Sequence, residues 1–127
     1  GAIVVDVGAF LTLPIAPMNG DYINNKRFLV DEDADDRVAI VSFDRPMLRV
    51  GVVSDGVQSI STNLAQNTPH EPFFARFFRT LESDEALGKE DELQASLAAF
   101  LASDAVNART DDDKTLALAI ARSDSGV

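Results

Sequence analysis

The chain has 127 residues, 46% of them hydrophobic and 25% charged, which suits one folded domain and argues against a disordered protein. It has no cysteine and one histidine, which excludes disulfides, thiolate zinc sites and histidine metal clusters. The net charge of −10 repels phosphate backbones and anionic lipids, so we expect no nucleic-acid partner and no membrane partner. Such acidity suits hard cations bound through oxygen. With no basic leader and no apolar run of membrane length, we expect a cytoplasmic protein.

The first half of the chain is rich in strand patterns. Residues 2–5 have strand character, Asn19-Gly20 indicates a turn, and a short strand is predicted at residues 28–30. Two further β-rich runs, residues 38–43 and 47–54, flank the tripeptide Asp-Arg-Pro, which predicts a hairpin between them.

The acidic stretch at residues 31–36 resembles the start of a calcium loop of the EF-hand type. Asp31, Asp33 and Asp35 match its first three ligand positions. The match fails at the sixth position, which is Asp36 and not glycine, and at the twelfth, which is Ser42 and not glutamate. We interpret the stretch as a solvated loop.

The second half of the chain predicts two or three helices followed by a strand. Residues 72–81 place phenylalanines and a leucine at helical spacing, and Pro72 suits the first turn. Residues 90–103 repeat the apolar spacing, with acids at the helix start. Residues 115–121 are apolar on both faces, as in a strand covered on both sides. Strands, helices and a final strand predict an α+β fold with helices on an antiparallel sheet, and the phenylalanine stripe is interpreted as core packing, not as a ligand pocket.

Two acidic spots lie at predicted strand ends. Asp55 follows the strand at residues 47–54, and three consecutive aspartates, residues 111–113, precede the strand at 115–121. If these strands are antiparallel neighbours, Asp55 faces Asp112 at one edge of the sheet, where converging carboxylates favour a shared divalent cation. Solvated turns are the alternative interpretation of both spots.

Other catalytic patterns are weak in this sequence. His70, beside two prolines, could serve as a general acid or base, but an isolated histidine in such a stretch is more often a loop residue. The sequence contains no nucleophile elbow, no P-loop and no dinucleotide-binding glycine pattern.

The order of motifs resembles the C-terminal half of the protein phosphatase 2C family, closest to its compact bacterial branch. A strand ends in Ser54-Asp55-Gly56, a helical insert follows, and Asp112-Asp113-Lys114-Thr115 opens the last strand. The segment Asn19-Gly20-Asp21-Tyr22 is similar to a Gly-Glu-Tyr segment of that branch, with Asp21 in place of glutamate.

The resemblance implies an antiparallel β-sandwich with flanking helices and a two-metal site for Mn²⁺ or Mg²⁺. It implies that Asp55 and Asp112 are metal ligands, that Ser54, Gly56, Asp113 and Thr115 support them, and that a metal-activated water hydrolyses phosphoserine or phosphothreonine in a phosphoprotein substrate. A role in signalling follows from that activity.

The resemblance also predicts that residues 1–127 are only part of such a domain. The family's other metal-binding segments lie in its N-terminal half, and nothing in this sequence replaces them. We therefore expect the chain to be incomplete and inactive alone, and to be completed by the missing half or by a second copy. The alternatives are a non-catalytic phosphatase-like binding or regulatory module, and an acidic interaction domain whose likeness to the family is accidental.

Overall fold

The computed structural model describes residues 1–8, 11–15, 32, 39–63, 65–84 and 91–122. Its elements, in chain order, are β1 (Ala2–Asp6), β2 (Leu11–Ile15), β3 (Arg49–Val53), α1 (Asp55–Ser61), β4 (Thr62–Asn63), β5 (Thr68–Pro69), α2 (Glu71–Ser83), α3 (Asp91–Leu101), α4 (Asp104–Asn107) and β6 (Leu116–Ile120). The expected α+β class with an antiparallel sheet is confirmed. The predicted turn at residues 19–20, the strand at 28–30 and the acidic loop, apart from Glu32, lie outside the described residues.

The main sheet has four strands in the order β2-β1-β3-β6, and every neighbouring pair is antiparallel. In the pair β3–β6, Val53 lies opposite Leu116 and Arg49 lies opposite Ile120. This confirms the predicted pairing of residues 47–54 with residues 115–121. The end of β3 therefore lies beside the start of β6, as the two acidic motifs require.

The predicted hairpin between residues 38–43 and 47–54 is wrong. Residues 39–43 form no strand, and they leave Ile40 85% exposed and Val41 48% exposed. The physical reason is that both edges of β3 are already used, by β1 on one side and β6 on the other. A third strand has no free backbone groups on β3 to pair with.

Helix α2 packs on one face of the sheet, and α3 packs against α2. Phe74 and Phe78 of α2 are fully buried, and the Phe74 ring lies directly over Gly51, where a Cβ atom would come within 3.1 Å of it. Phe73 and Phe77 point instead towards α3, with ring centroids 6.2 Å and 5.1 Å from that of Phe100. The phenylalanine stripe is therefore core, as predicted.

The opposite face of the sheet is apolar and more open. Strand alternation places Val50, Val52, Ala117 and Ala119 on it, because Gly51 and Leu118 face the helices. Val52 is 45% exposed, and both alanines are exposed. Within the described residues the only other sheet is the two-stranded ribbon β4–β5. No helix in the described ranges is both long and apolar enough to cross a membrane.

Five short elements were not predicted from the sequence: β2, α1, β4, β5 and α4. Helix α1 spans seven residues, with Ser54 at its N-cap position and Asp55 in its first turn. Helix α4 spans four, and the Ser103 side chain caps it by accepting from the Val106 N–H at 3.4 Å. Helices α1 and α4 are too short for apolar residues to recur at helical spacing. The main sign of each helix in the sequence was therefore the serine-aspartate pair at its N-terminus.

Candidate functional site

Ser54 joins the two acidic motifs at one end of the sheet. Its backbone N–H donates to the Thr115 carbonyl at 3.0 Å, and its Oγ accepts from the Thr115 N–H at 2.8 Å. The hydroxyl also lies 3.5 Å from the Asp113 carbonyl oxygen. The side chain therefore continues the β3–β6 pairing by one residue pair and fixes the start of α1 against residues 113–115.

Gly56 provides the space for this close approach. A Cβ atom on Gly56 would lie 2.2 Å from the Asp113 carbonyl oxygen and 3.1 Å from the Asp112 carbonyl oxygen. Both oxygens belong to backbone, which cannot rotate away as a flexible side chain can. Glycine at this position therefore lets the first turn of α1 lie directly against the Asp112-Asp113 peptide.

Asp55 is oriented at the N-terminus of α1 by a contact with its own helix. Its Oδ1 accepts from Nε2 of Gln58 at 3.2 Å and lies 2.7 Å from the backbone nitrogen of Gly1. The Gln58 residue is buried, whereas the Asp55 side chain is 54% exposed. The carboxylate is thus oriented by the protein and still open to solvent, as a metal ligand at an accessible site must be.

The three aspartates at residues 111–113 are all exposed. Among the described residues Lys114 forms no ion pair with them, and its ammonium donates to Oδ1 of Asn107. Asp113 contacts the Ser54 motif through its backbone carbonyl. The negative charge of this segment is therefore left largely to solvent or to a bound cation.

These residues suit part of a site for a hard cation but not all of one. Carboxylates at a solvent-open edge are the ligands that Mn²⁺ and Mg²⁺ prefer. Within the part of the chain that the structure describes, however, no group of three or more acidic or histidine side chains is close enough together to hold a metal ion. Further ligands from outside these residues would be needed for a complete site.

His70 lies away from the two acidic motifs. It is exposed, occupies the N-cap position of α2, and lines a cavity of about 430 Å³ with Ser59, Thr62 and Arg109. That cavity lies at the C-terminal end of α1, whereas Asp55 lies at its N-terminal end. His70 is therefore placed as a loop residue and not beside the candidate site.

Two contacts of the site were not predicted from the sequence, although Asp113 itself was named there as a supporting residue. Gln58 orients Asp55 from one turn further along α1, and the Asp113 contact is made by its carbonyl group. The spacing of three between Asp55 and Gln58 is a recognisable signal only if residues 55–61 are first predicted to be helical. Every residue has a backbone carbonyl, so the residue type at position 113 does not indicate that its carbonyl makes this contact.

Comparison with known proteins places these motifs in a family. The family model described as Protein phosphatase 2C matches residues 1–102, a range that includes Ser54-Asp55-Gly56 and ends before Asp112. Serine/threonine-protein phosphatase 3 of Escherichia coli (strain K12) is 45% identical to the chain over 122 residues. That alignment covers 94% of this chain and 47% of the relative, so the chain spans about half the relative's length. No solved structure matches significantly.

The extent of the family match excludes one of the three hypotheses drawn from the sequence. An accidental likeness between an acidic domain and the phosphatase is wrong, because the family model covers four-fifths of the chain, residues 1–102 of 127. This chain belongs to the protein phosphatase 2C family.

Proposed function

We propose that this chain is the C-terminal half of a metal-dependent phosphatase that hydrolyses phosphoserine and phosphothreonine in proteins. Membership of the family and 45% identity to a serine/threonine-protein phosphatase support the reaction class. The observation that carries the proposal is the junction at Ser54, which brings the Asp55 and Asp112 segments together at one end of the sheet.

In this proposal Asp55 and Asp112 bind divalent cations, Mn²⁺ or Mg²⁺. Such cations lower the pKa of a bound water and neutralise the charge of the phosphate. Ser54, Gly56, Asp113 and Thr115 position the two ligands through the contacts described above. Asp111 and Asp112 are both exposed, with a bend of the backbone at Asp112, and in this proposal Asp111 stays in solvent and binds no cation.

The remaining ligands are proposed to come from outside this chain, from the missing half of the protein or a second copy. Support comes from the relative, of which the chain covers 47%, and from the absence of a three-residue acidic cluster among the described residues. The open sheet face with Val52, Ala117 and Ala119 would then be the inner face of a β-sandwich. The chain alone is expected to be inactive, and the whole protein to be cytoplasmic.

A non-catalytic phosphatase-like module is the second candidate. The observation that favours it is the same limited cluster: the described residues supply at most two metal-binding carboxylates at the Ser54 junction. A module of this kind would keep the fold and bind phosphoproteins or regulators without hydrolysing them.

Hydrolysis of p-nitrophenyl phosphate and of a phosphothreonine peptide, measured with and without Mn²⁺, separates the two candidates. We expect the full-length protein to be active only with the metal, and Asp55→Asn or Asp112→Asn to lower turnover at least about tenfold. Asp111→Asn is the matched control, since it removes a neighbouring charge from the same segment. A folded full-length protein with no Mn²⁺-dependent activity would favour the binding module.

A further inference from the structure

A cavity of about 430 Å³ lies at the C-terminal end of α1, at the other end of that helix from the Ser54 junction. The described residues that line it are Ser59, Ile60, Thr62, Asn63, His70 and Arg109. None of these residues is acidic, although the sequence has 21 acidic residues and 11 lysines and arginines. The cavity is therefore a local region without negative charge on a strongly acidic protein.

The cavity lining is rich in hydrogen-bond donors. Arg109 supplies a guanidinium that is positively charged at every physiological pH, and His70 supplies an imidazole that donates from a ring nitrogen. Among the described residues, neither of these two side chains forms an ion pair. The Thr62 hydroxyl, in contrast, already donates to the Gln58 carbonyl at 2.7 Å. Cationic donors with no carboxylate beside them in the lining favour a ligand that is negatively charged and rich in acceptor oxygens.

Backbone hydrogen bonds fix the positions of the lining residues before any ligand binds. The His70 N–H donates to the Ser61 carbonyl at 2.8 Å, which joins the start of α2 to the end of α1. The Arg109 N–H donates to the Val106 carbonyl at 2.9 Å, at the end of α4. Thr62 belongs to the β4–β5 ribbon. Binding to a backbone that is ordered in advance loses less entropy than binding that must first order it.

We propose that this cavity binds a phosphate-type oxyanion, which accepts hydrogen bonds from Arg109 and His70. A guanidinium suits this ligand because its planar fork donates two parallel hydrogen bonds to two phosphate oxygens. The net charge of −10 opposes binding, but exposed charges more than about 10 Å away are largely screened at moderate salt. Glu71 directly follows His70, Asp111 lies two residues after Arg109, and both acids are exposed. We therefore expect weak binding that depends strongly on Arg109.

Free phosphate and a phosphate group on a bound phosphoprotein present the same chemistry to this cavity. Helix α1 spans seven residues, a rise of about 10 Å, between the Ser54 junction and the cavity. Three residues of extended peptide cover about the same distance. A second phosphate three residues from the one being hydrolysed would therefore match the separation of the two sites. That use of the cavity rests on the proposed function, whereas the binding of free phosphate does not.

Titration of the full-length protein with inorganic phosphate, followed by NMR without divalent metal and at constant ionic strength, tests the site. We expect saturable shifts of the Asn63, His70 and Arg109 amides. Arg109→Gln should weaken binding at least about fivefold, because it removes a charged donor, and His70→Gln should weaken it less. Arg79→Gln is the matched control, since Arg79 is exposed on α2 and lies outside the cavity lining. No saturable shifts, shifts that sodium chloride reproduces, or equal effects of the two arginine substitutions would overturn the proposal.

A second measurement distinguishes the two sources of the phosphate group. Hydrolysis with Mn²⁺ is compared for a peptide with one phosphothreonine and for the same peptide with a second phosphate three residues away. A lower KM for the doubly phosphorylated peptide, lost in Arg109→Gln, would assign the cavity to the substrate. Equal KM values beside saturable phosphate binding would assign it to the free ion. The NMR titration needs neither metal nor turnover, so failure of the proposed function leaves the test of this site intact.

Discussion

Replacing Gly56 by alanine is expected to destabilise the protein although it improves the intrinsic propensity of α1. Alanine in place of glycine inside a helix stabilises it by about 1 kcal/mol. Here the new Cβ would lie 2.2 Å from the Asp113 carbonyl oxygen, so the backbone must move. Overpacking of this kind costs about 1–3 kcal/mol. The movement also strains the two Ser54–Thr115 hydrogen bonds, each contributing about 1 kcal/mol.

The net loss expected for Gly56→Ala is therefore about 2–4 kcal/mol in the free energy of unfolding, obtained by subtracting the propensity gain from these costs. Urea unfolding followed by circular dichroism measures this loss. We expect a lower urea concentration at the midpoint and an unchanged dependence of the unfolding free energy on urea concentration. Ser59→Ala, at an exposed position of the same helix, is the matched control and should be neutral or slightly stabilising. If Gly56→Ala were as stable as the parent, the close approach of α1 to the Asp112-Asp113 peptide would be refuted.

Three further substitutions test the Ser54 junction, the core under α2 and the opposite end of β3. Ser54→Ala leaves the Thr115 N–H without its acceptor, so we expect a loss of about 1 kcal/mol and faster exchange of that amide; unchanged exchange would contradict the assigned bond. Phe74→Ala empties a fully buried position and should cost about 3–5 kcal/mol in urea unfolding; a loss under about 1 kcal/mol would place Phe74 outside the core. Arg49→Met removes the guanidinium that lies 3.4 Å from the Asp6 carboxylate. A double-mutant cycle with Asp6→Asn should give a coupling energy between the two residues of about 0.5–1 kcal/mol, and a coupling of zero would show that the pair does not form.

The parts of the fold that could be predicted are those with a long or strong pattern. The phenylalanine spacing in residues 72–81 gave α2 because five apolar residues repeat over two turns and more. The apolar run after Thr115 predicted β6. The acidic residues at the end of β3 and before β6 predicted that these two strands are antiparallel neighbours. In each case the pattern extends over enough residues to distinguish a helix from a strand.

The parts that could not be predicted depend on tertiary competition or on very short elements. Residues 38–43 have strand composition, but the sheet offers them no free edge on β3. Strand propensity describes how side chains fit a half-buried sheet and does not decide which segments reach it. Helix α1 begins at an aspartate-glycine pair, which favours a turn when viewed locally.

For the candidate site, the sequence supplied named residues, whose role as ligands stays a prediction, but not the contacts between them. The motif order identified Ser54, Asp55 and Asp112, and the structure places their segments together. The contacts made by the Asp113 carbonyl and Gln58 depend on the path of the backbone after β3. No residue pattern specifies that path, which is why these contacts were found only in three dimensions.

Mn²⁺ binding to the full-length protein, measured by electron paramagnetic resonance, is the most direct test of the central claim. The claim is that Asp55 and Asp112 bind a divalent cation at the junction formed by Ser54. Asp55→Asn and Asp112→Asn should each weaken Mn²⁺ binding by about tenfold or more, because each removes a ligand. Asp111→Asn should leave the affinity nearly unchanged. Equal, small effects of all three substitutions would contradict the claim and leave residues 111–113 as a solvated turn.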